Sequence, residues 1–206
     1  MKSIPTRFIL VLTTIIAFSS CTKLIIGMNG IKEVDEATIT KFGDKYKIPS
    51  EDSYELDTSY YSFLFSLDTA KYKSQIKNHY QPLQALYYNN GDLESFQVNC
   101  YAGGFPNLHW ERDSIMTSFP PGAQAPPDSI LSLSMHLNYL QPLSYTKEFS
   151  SSKYDYVVVV YWSRFMGRQS ERFIEIIQEN QKLSGDLKVK MVYVNTDNFF
   201  ASNLTN

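Results

Sequence analysis

Cysteine is scarce in this chain. Cys21 and Cys100 are the only two among 206 residues, too few for a disulfide framework or a cysteine-rich zinc site. The three histidines, His79, His109 and His136, stand at no metal-ligand spacing from one another, so no metal and no cofactor is expected. An excess of positive charge is missing as well. Nineteen basic residues face 21 acidic ones, a net charge of -2, which removes the electrostatic ground for a nucleic-acid partner. No hydrophobic run reaches the ~20 residues of a membrane-spanning helix. Proline does not occur after Pro142. What remains is 43% hydrophobic and 19% charged, the balance of a chain that folds around a core.

The first twenty residues read as an export signal. Lys2 and Arg7 supply a cationic start, Phe8 to Phe18 is an 11-residue run without charge, and Ser19-Ser20 follow. The next residue is Cys21, and Phe18-Ser19-Ser20-Cys21 resembles the lipobox of bacterial lipoproteins, with Phe18 at the usual leucine position. The resemblance implies cleavage before Cys21, acylation of its sulfur and amine, and a bacterial envelope location. Two or three acyl chains, at about 0.8 kcal/mol per buried CH2, anchor a protein without spanning the bilayer. Thr22 stands where an aspartate would resemble an inner-membrane retention signal, which favours the outer membrane. The expected partners are therefore the membrane, through the acyl chains, and a further envelope protein.

Along the mature chain, residues 21–30 read as a lipidated tether with Gly27 and Gly30. Ile39, Phe42 and Tyr46 recur at helical spacing behind Asp35, a cap candidate. Asp68 is expected to cap a second helix running to Tyr80. Leu83–Tyr88 and Leu93–Tyr101 flank Asn89-Asn90-Gly91-Asp92, a hairpin signal in which Asn-Gly suits a type I′ turn. Alternation places Phe96, Val98 and Cys100 on the apolar face of the second strand. Residues 102–127 read as a structured loop rich in glycine and proline, and Pro127 as the opening of a helix to about Leu140.

The last third is the most legible. Tyr156–Tyr161 (YVVVVY) is the continuous β-branched run of a strand buried on both faces. Gln169–Leu183 places Phe173, Ile176, Ile177 and Leu183 on one helical face, Gly185 closes that helix, and Lys188–Asn195 is a second strand. Strand, helix and strand over 40 residues predict parallel pairing with a right-handed crossover. Between them, Tyr161-Trp162-Ser163-Arg164-Phe165-Met166-Gly167-Arg168-Gln169 opens the helix. This layout resembles the thioredoxin-like family, in which an aromatic pair leads into Cys-Gly-Pro-Cys at the helix N-terminus. Gly167 matches, while Met166 and Gln169 stand where the two cysteines belong and Arg168 replaces the proline.

Disulfide exchange needs an ionised thiol and a second thiol to resolve the mixed disulfide. Methionine and glutamine supply neither. The family also places a cis-proline at the start of a later hairpin, opposite the motif, and that hairpin must here be missing or be supplied by residues 83–101. The expected fold is α/β (α+β overall), with a thioredoxin-like β-α-β unit over 146–206. An N-terminal region of helices and the hairpin, over 31–145, is expected to pack with it as one domain, behind a signal peptide over 1–20.

Candidate binding residues follow from position. Arg164 and Arg168 flank a helix N-terminus, which favours anions, and His109 and Trp110 lie in the glycine- and aromatic-rich segment after Cys100. Three functions stand side by side. The first is a redox-inactive accessory or binding lipoprotein with no catalytic residue. The second is a single-cysteine enzyme acting through Cys100 with His109 and Asp113. The third is a glycan-binding lipoprotein using the tryptophans and the 15 tyrosines.

Overall fold

A computed structural model describes residues 27–105 and 107–204. The expected signal segment, residues 1–20, and Cys21 lie outside the described residues. The chain forms a mixed six-stranded sheet covered by helices on both faces, an α/β architecture. In chain order the main elements are α1 (Glu36–Lys45), β1 (Ser53–Leu56), α2 (Ser59–Ser66), α3 (Lys73–His79), β2 (Gln84–Asn89), β3 (Asp92–Val98), α4 (Asn99–Ala102), α5 (Leu133–Leu137), β4 (Leu140–Pro142), β5 (Tyr156–Trp162), α6 (Arg168–Gln181), β6 (Val189–Asn195) and α7 (Asp197–Leu204). Spatially the strands run β3-β2-β5-β6-β1-β4. The three central strands β5, β6 and β1 are parallel, and β2 and β4 join them antiparallel.

The expected strand-helix-strand unit is present: β5 is buried along all seven residues, α6 follows, and β6 pairs parallel to β5. Strand alternation splits β5 between two cores. Val158, Val160 and Trp162 meet Phe173, Ile174 and Ile177 of α6 and Ile39 of α1 on one face. Val157, Val159 and Tyr161 meet Tyr60, Leu64 and Phe199 on the other. Each face removes a broad apolar area from water at roughly 25 cal/mol per Å2. That is why the β-branched run sits at the centre of the sheet and not at an edge.

The hairpin turns on Asn90 and Gly91, whose φ angles of 50° and 94° are the positive values a type I′ turn requires. β2 then pairs antiparallel with β5, so the earlier hairpin extends the sheet beside the β-α-β unit. Three local expectations are corrected. The strand ends at Val98, and a short helical turn carries Cys100 to an exposed position instead of the apolar face. Asp68 accepts from the amides of Ala70 and Lys71, closing a turn, and α3 starts only at Lys73. Asp128 does the same for Ile130, so the helix expected from Pro127 is reduced to Leu133–Leu137, capped by Ser132. The cap expected at Asp35 is present, its carboxylate accepting from Thr38 N at 2.9 Å.

One polar chain crosses the second core. Tyr161 Oη donates to His136 Nε2 at 2.7 Å, Nδ1–H donates to Tyr88 Oη at 3.0 Å, and Tyr88 Oη donates to Leu131 O at 3.3 Å. This order of donors satisfies every member only when the imidazole is neutral. Burial, reinforced by His79, pushes the His136 pKa down to about 3. The unfolded chain takes up this proton as pH falls through 6.5 and the folded chain does not. Stability is therefore full above pH 6.5 and declines below it, by about 1.4 kcal/mol per pH unit once the unfolded histidine is charged. Urea midpoints measured from pH 7 to 5 are expected to fall in the wild type and to fall much less in His136→Gln.

Candidate functional site

β5 ends at Trp162, and the five residues Ser163 to Gly167 turn the chain into α6. Two buried groups hold this turn. Ser170 Oγ donates to Ser163 O at 2.6 Å and accepts from Ser163 N at 3.2 Å. Asp197, fully buried at the start of α7, accepts from Arg164 N at 2.6 Å, Phe165 N at 3.2 Å and Asn195 Nδ2 at 2.9 Å. Burial raises the Asp197 carboxyl pKa, against the lowering effect of these donors and of Arg164. The turn thus lies at the carboxyl ends of β5 and β6, where open parallel sheets place their ligand sites.

The four positions Met166 to Gln169, which the sequence resemblance singled out, are not equivalent. Met166 and Gln169 are both buried, and Gln169 Oε1 accepts from Leu108 N at 3.2 Å. Arg168 is exposed. Gly167 has φ 53°, and a Cβ built there would stand 1.9 Å from Gly27 O. Only glycine fits that approach.

That approach reveals what covers the turn. Residues 27–30, expected as plain tether, are bonded across it. Asn29 N donates to Phe165 O and Asn29 Nδ2 to Arg164 O, both at 2.8 Å. Arg164 Nη2 donates to Gly30 O at 2.6 Å, and Arg168 N points at Gly27 O at 3.4 Å. Arg164 is itself 8% exposed and lies beside Asp197, Nε to Oδ1 3.8 Å. Its guanidinium therefore neutralises a buried carboxylate and fastens the N-terminal segment, instead of waiting for an external anion as its sequence position suggests. The segment acts as a strap over the turn between β5 and α6.

The other candidates are distributed around this turn. Trp110 is fully buried with its ring 4.1 Å from that of Phe173, so it plugs the core under α6. His109, next to it, is exposed. Trp162 is also buried, edge-on to Tyr46 at 5.6 Å. It lines a narrow crevice with Ile39, Ile48, Leu143 and the exposed Tyr145. Cys100 Sγ lies 4.0 Å from the neutral Asn78 Oδ1. The residue is exposed at its surface, yet desolvation around the sulfur raises the thiol pKa despite an opposing effect of Lys77. A nucleophilic cysteine needs the reverse.

The histidines do not converge. His79 Nε2 is 3.2 Å from both oxygens of Asp128, His136 is bound between two tyrosines, and His109 is at the surface. Among the described residues, no group of three or more His, Cys, Asp or Glu is placed to hold a metal ion. No helix among them is long and apolar enough to cross a membrane.

No family model, curated protein or solved structure matches this chain. The site is accordingly read from its own chemistry. The residues that sequence reasoning missed are Asp197 and Asn29. For Asp197 a signal existed: Thr196-Asp197-Asn198 is a polar run directly after the strand that ends at Asn195, a pattern that marks a helix start.

Proposed function

We propose that this protein is a lipid-anchored bacterial envelope protein whose thioredoxin-like scaffold has no redox chemistry and serves as a binding or accessory subunit. The observation that carries the reading is a β-α-β unit whose motif turn holds no thiol and is closed by the chain's own strap. Support for the scaffold comes from the sheet. The hairpin β2–β3 borders β5 antiparallel, on the side away from β6, and Pro82 stands two residues before β2. The resembling family has a hairpin led by a proline in that role. The Pro82 peptide is trans, so the likeness is one of position. Support for the anchor is the Phe18-Ser19-Ser20-Cys21 motif, and Thr22 favours the outer membrane.

The competing readings fit the geometry less well. A Cys100 enzyme has a thiol whose ionisation is disfavoured. A glycan platform built on stacked tyrosines and tryptophans loses both tryptophans, which are buried. Two assays test the proposal together. Mature protein is expected to reduce insulin disulfides no faster than the dithiol reductant alone, and Cys21→Ser is expected to move the protein from the membrane fraction to the soluble one. Reductase turnover, or membrane attachment unchanged by Cys21→Ser, would overturn the corresponding half.

A further inference from the structure

The strap also fixes where an anchor leaves the fold. Gly27 lies against Gly167 and Arg168 at the first turn of α6. Six residue steps separate it from Cys21, a reach of at most about 22 Å even when fully extended. A bilayer that holds acyl chains on Cys21 must therefore approach the α6 end of the molecule.

The loop that follows β3 emerges at this same end. Val98 pairs with Gln84, and Gln84 with Tyr161 near the close of β5. The loop is then tied to α6 by Leu108 N on Gln169 Oε1 and by the Arg172–Glu111 ion pair. From it Phe105 is 61% exposed and Tyr101 37%, while Ile31, just past the strap, is 42% exposed. Exposed apolar side chains such as Phe105 and Ile31 gain by leaving water for the boundary between headgroups and acyl chains, and an amphipathic tyrosine such as Tyr101 suits the headgroup level.

We infer that the α6 end rests on the membrane, with Phe105 and Ile31 entering the boundary between headgroups and acyl chains. The inference deepens the lipoprotein reading and rests on it. Its consequence is that the strapped turn faces lipid, which leaves the opposite end of the sheet, around the Asn90-Gly91 turn, pointing away from the membrane. That end is the far one because Asn89 pairs with Tyr156 at the start of β5.

The test uses the full mature lipoprotein in vesicles of phosphatidylethanolamine and phosphatidylglycerol. With Cys100→Ala as background, Phe105→Cys or Ser134→Cys carries an environment-sensitive dye. Ser134 is exposed, and its neighbour Leu133 N bonds to Gly91 O at the far end. The intact mass of each sample reports acylation of Cys21. In acylated protein the dye at 105 is expected to shift blue and lose most of its emission to nitroxide lipids of headgroup depth, while the dye at 134 is unaffected. Acylated protein with an unquenched dye at 105, or with equal quenching at both positions, would overturn the orientation and leave the anchor standing. Absence of the acyl mass would overturn both.

Discussion

Replacing Asp197 by alanine is expected to remove about 3–5 kcal/mol of folding stability, the usual cost of taking one partner from a buried charged pair. The magnitude follows from what the carboxylate does. It is fully buried and accepts from two consecutive backbone amides, Arg164 N and Phe165 N, and from Asn195 Nδ2. Alanine leaves those amides without an acceptor and the Arg164 guanidinium, 8% exposed, without its counter-charge. Asp197→Asn keeps one acceptor oxygen and is expected to cost less, about 1–3 kcal/mol. Because Arg164 also reaches Gly30 O, Asp197→Ala should loosen the strap as well. Urea denaturation gives the stability, and limited proteolysis between residues 27 and 34 reports the strap. An Asp197→Ala protein as stable as the wild type, with an equally protected strap, would show that the turn does not depend on this carboxylate.

Trp110→Ala is expected to cost about 3–5 kcal/mol, in the range of large aromatic truncations in a core. Its ring is fully buried against Phe173 of α6, within the core that also holds Val158, Val160 and Trp162. Trp110→Phe separates packing from polarity. Trp110 Nε1 is buried and has no hydrogen-bond partner, so phenylalanine removes an unpaired donor while keeping much of the aromatic surface. That variant is expected to lie far closer to the wild type than Trp110→Ala, as read from thermal midpoints. If Trp110→Ala folded with wild-type stability, the residue would be a surface contact and not a core plug.

The central strands were legible because their burial is two-sided and their side chains β-branched: no other element fits YVVVVY between a polar connector and a helix start. The hairpin was legible because Asn-Gly restricts φ locally. Cys100 was misplaced for a physical reason. Period-2 alternation gives no account of where a strand stops, and Asn99 to Ala102 already form a helical turn. The helix expected at Asp68 failed because an aspartate that closes a turn looks in sequence like one that caps a helix, and the one expected at Pro127 because proline suits a turn as well as a first helical position.

The site was half legible. That Met166 and Gln169 supply no thiol could be read directly, whatever the fold. The strap could not be read, since its bonds join Asn29 to Arg164 and Phe165, 135 and 136 positions away, through backbone carbonyls that carry no side-chain signature. The pairing of Arg164 with Asp197 across 33 positions was hidden for the same reason. Both depend on β5 and β6 lying side by side.

The measurement that tests the anchored reading most directly is the intact mass of the protein extracted in detergent from its own membranes. A chain lacking residues 1–20 and carrying two or three acyl chains, with Cys21 as its first residue, is the predicted result. A chain that retains Met1, or one that is cleaved yet bears no lipid on Cys21, would contradict it.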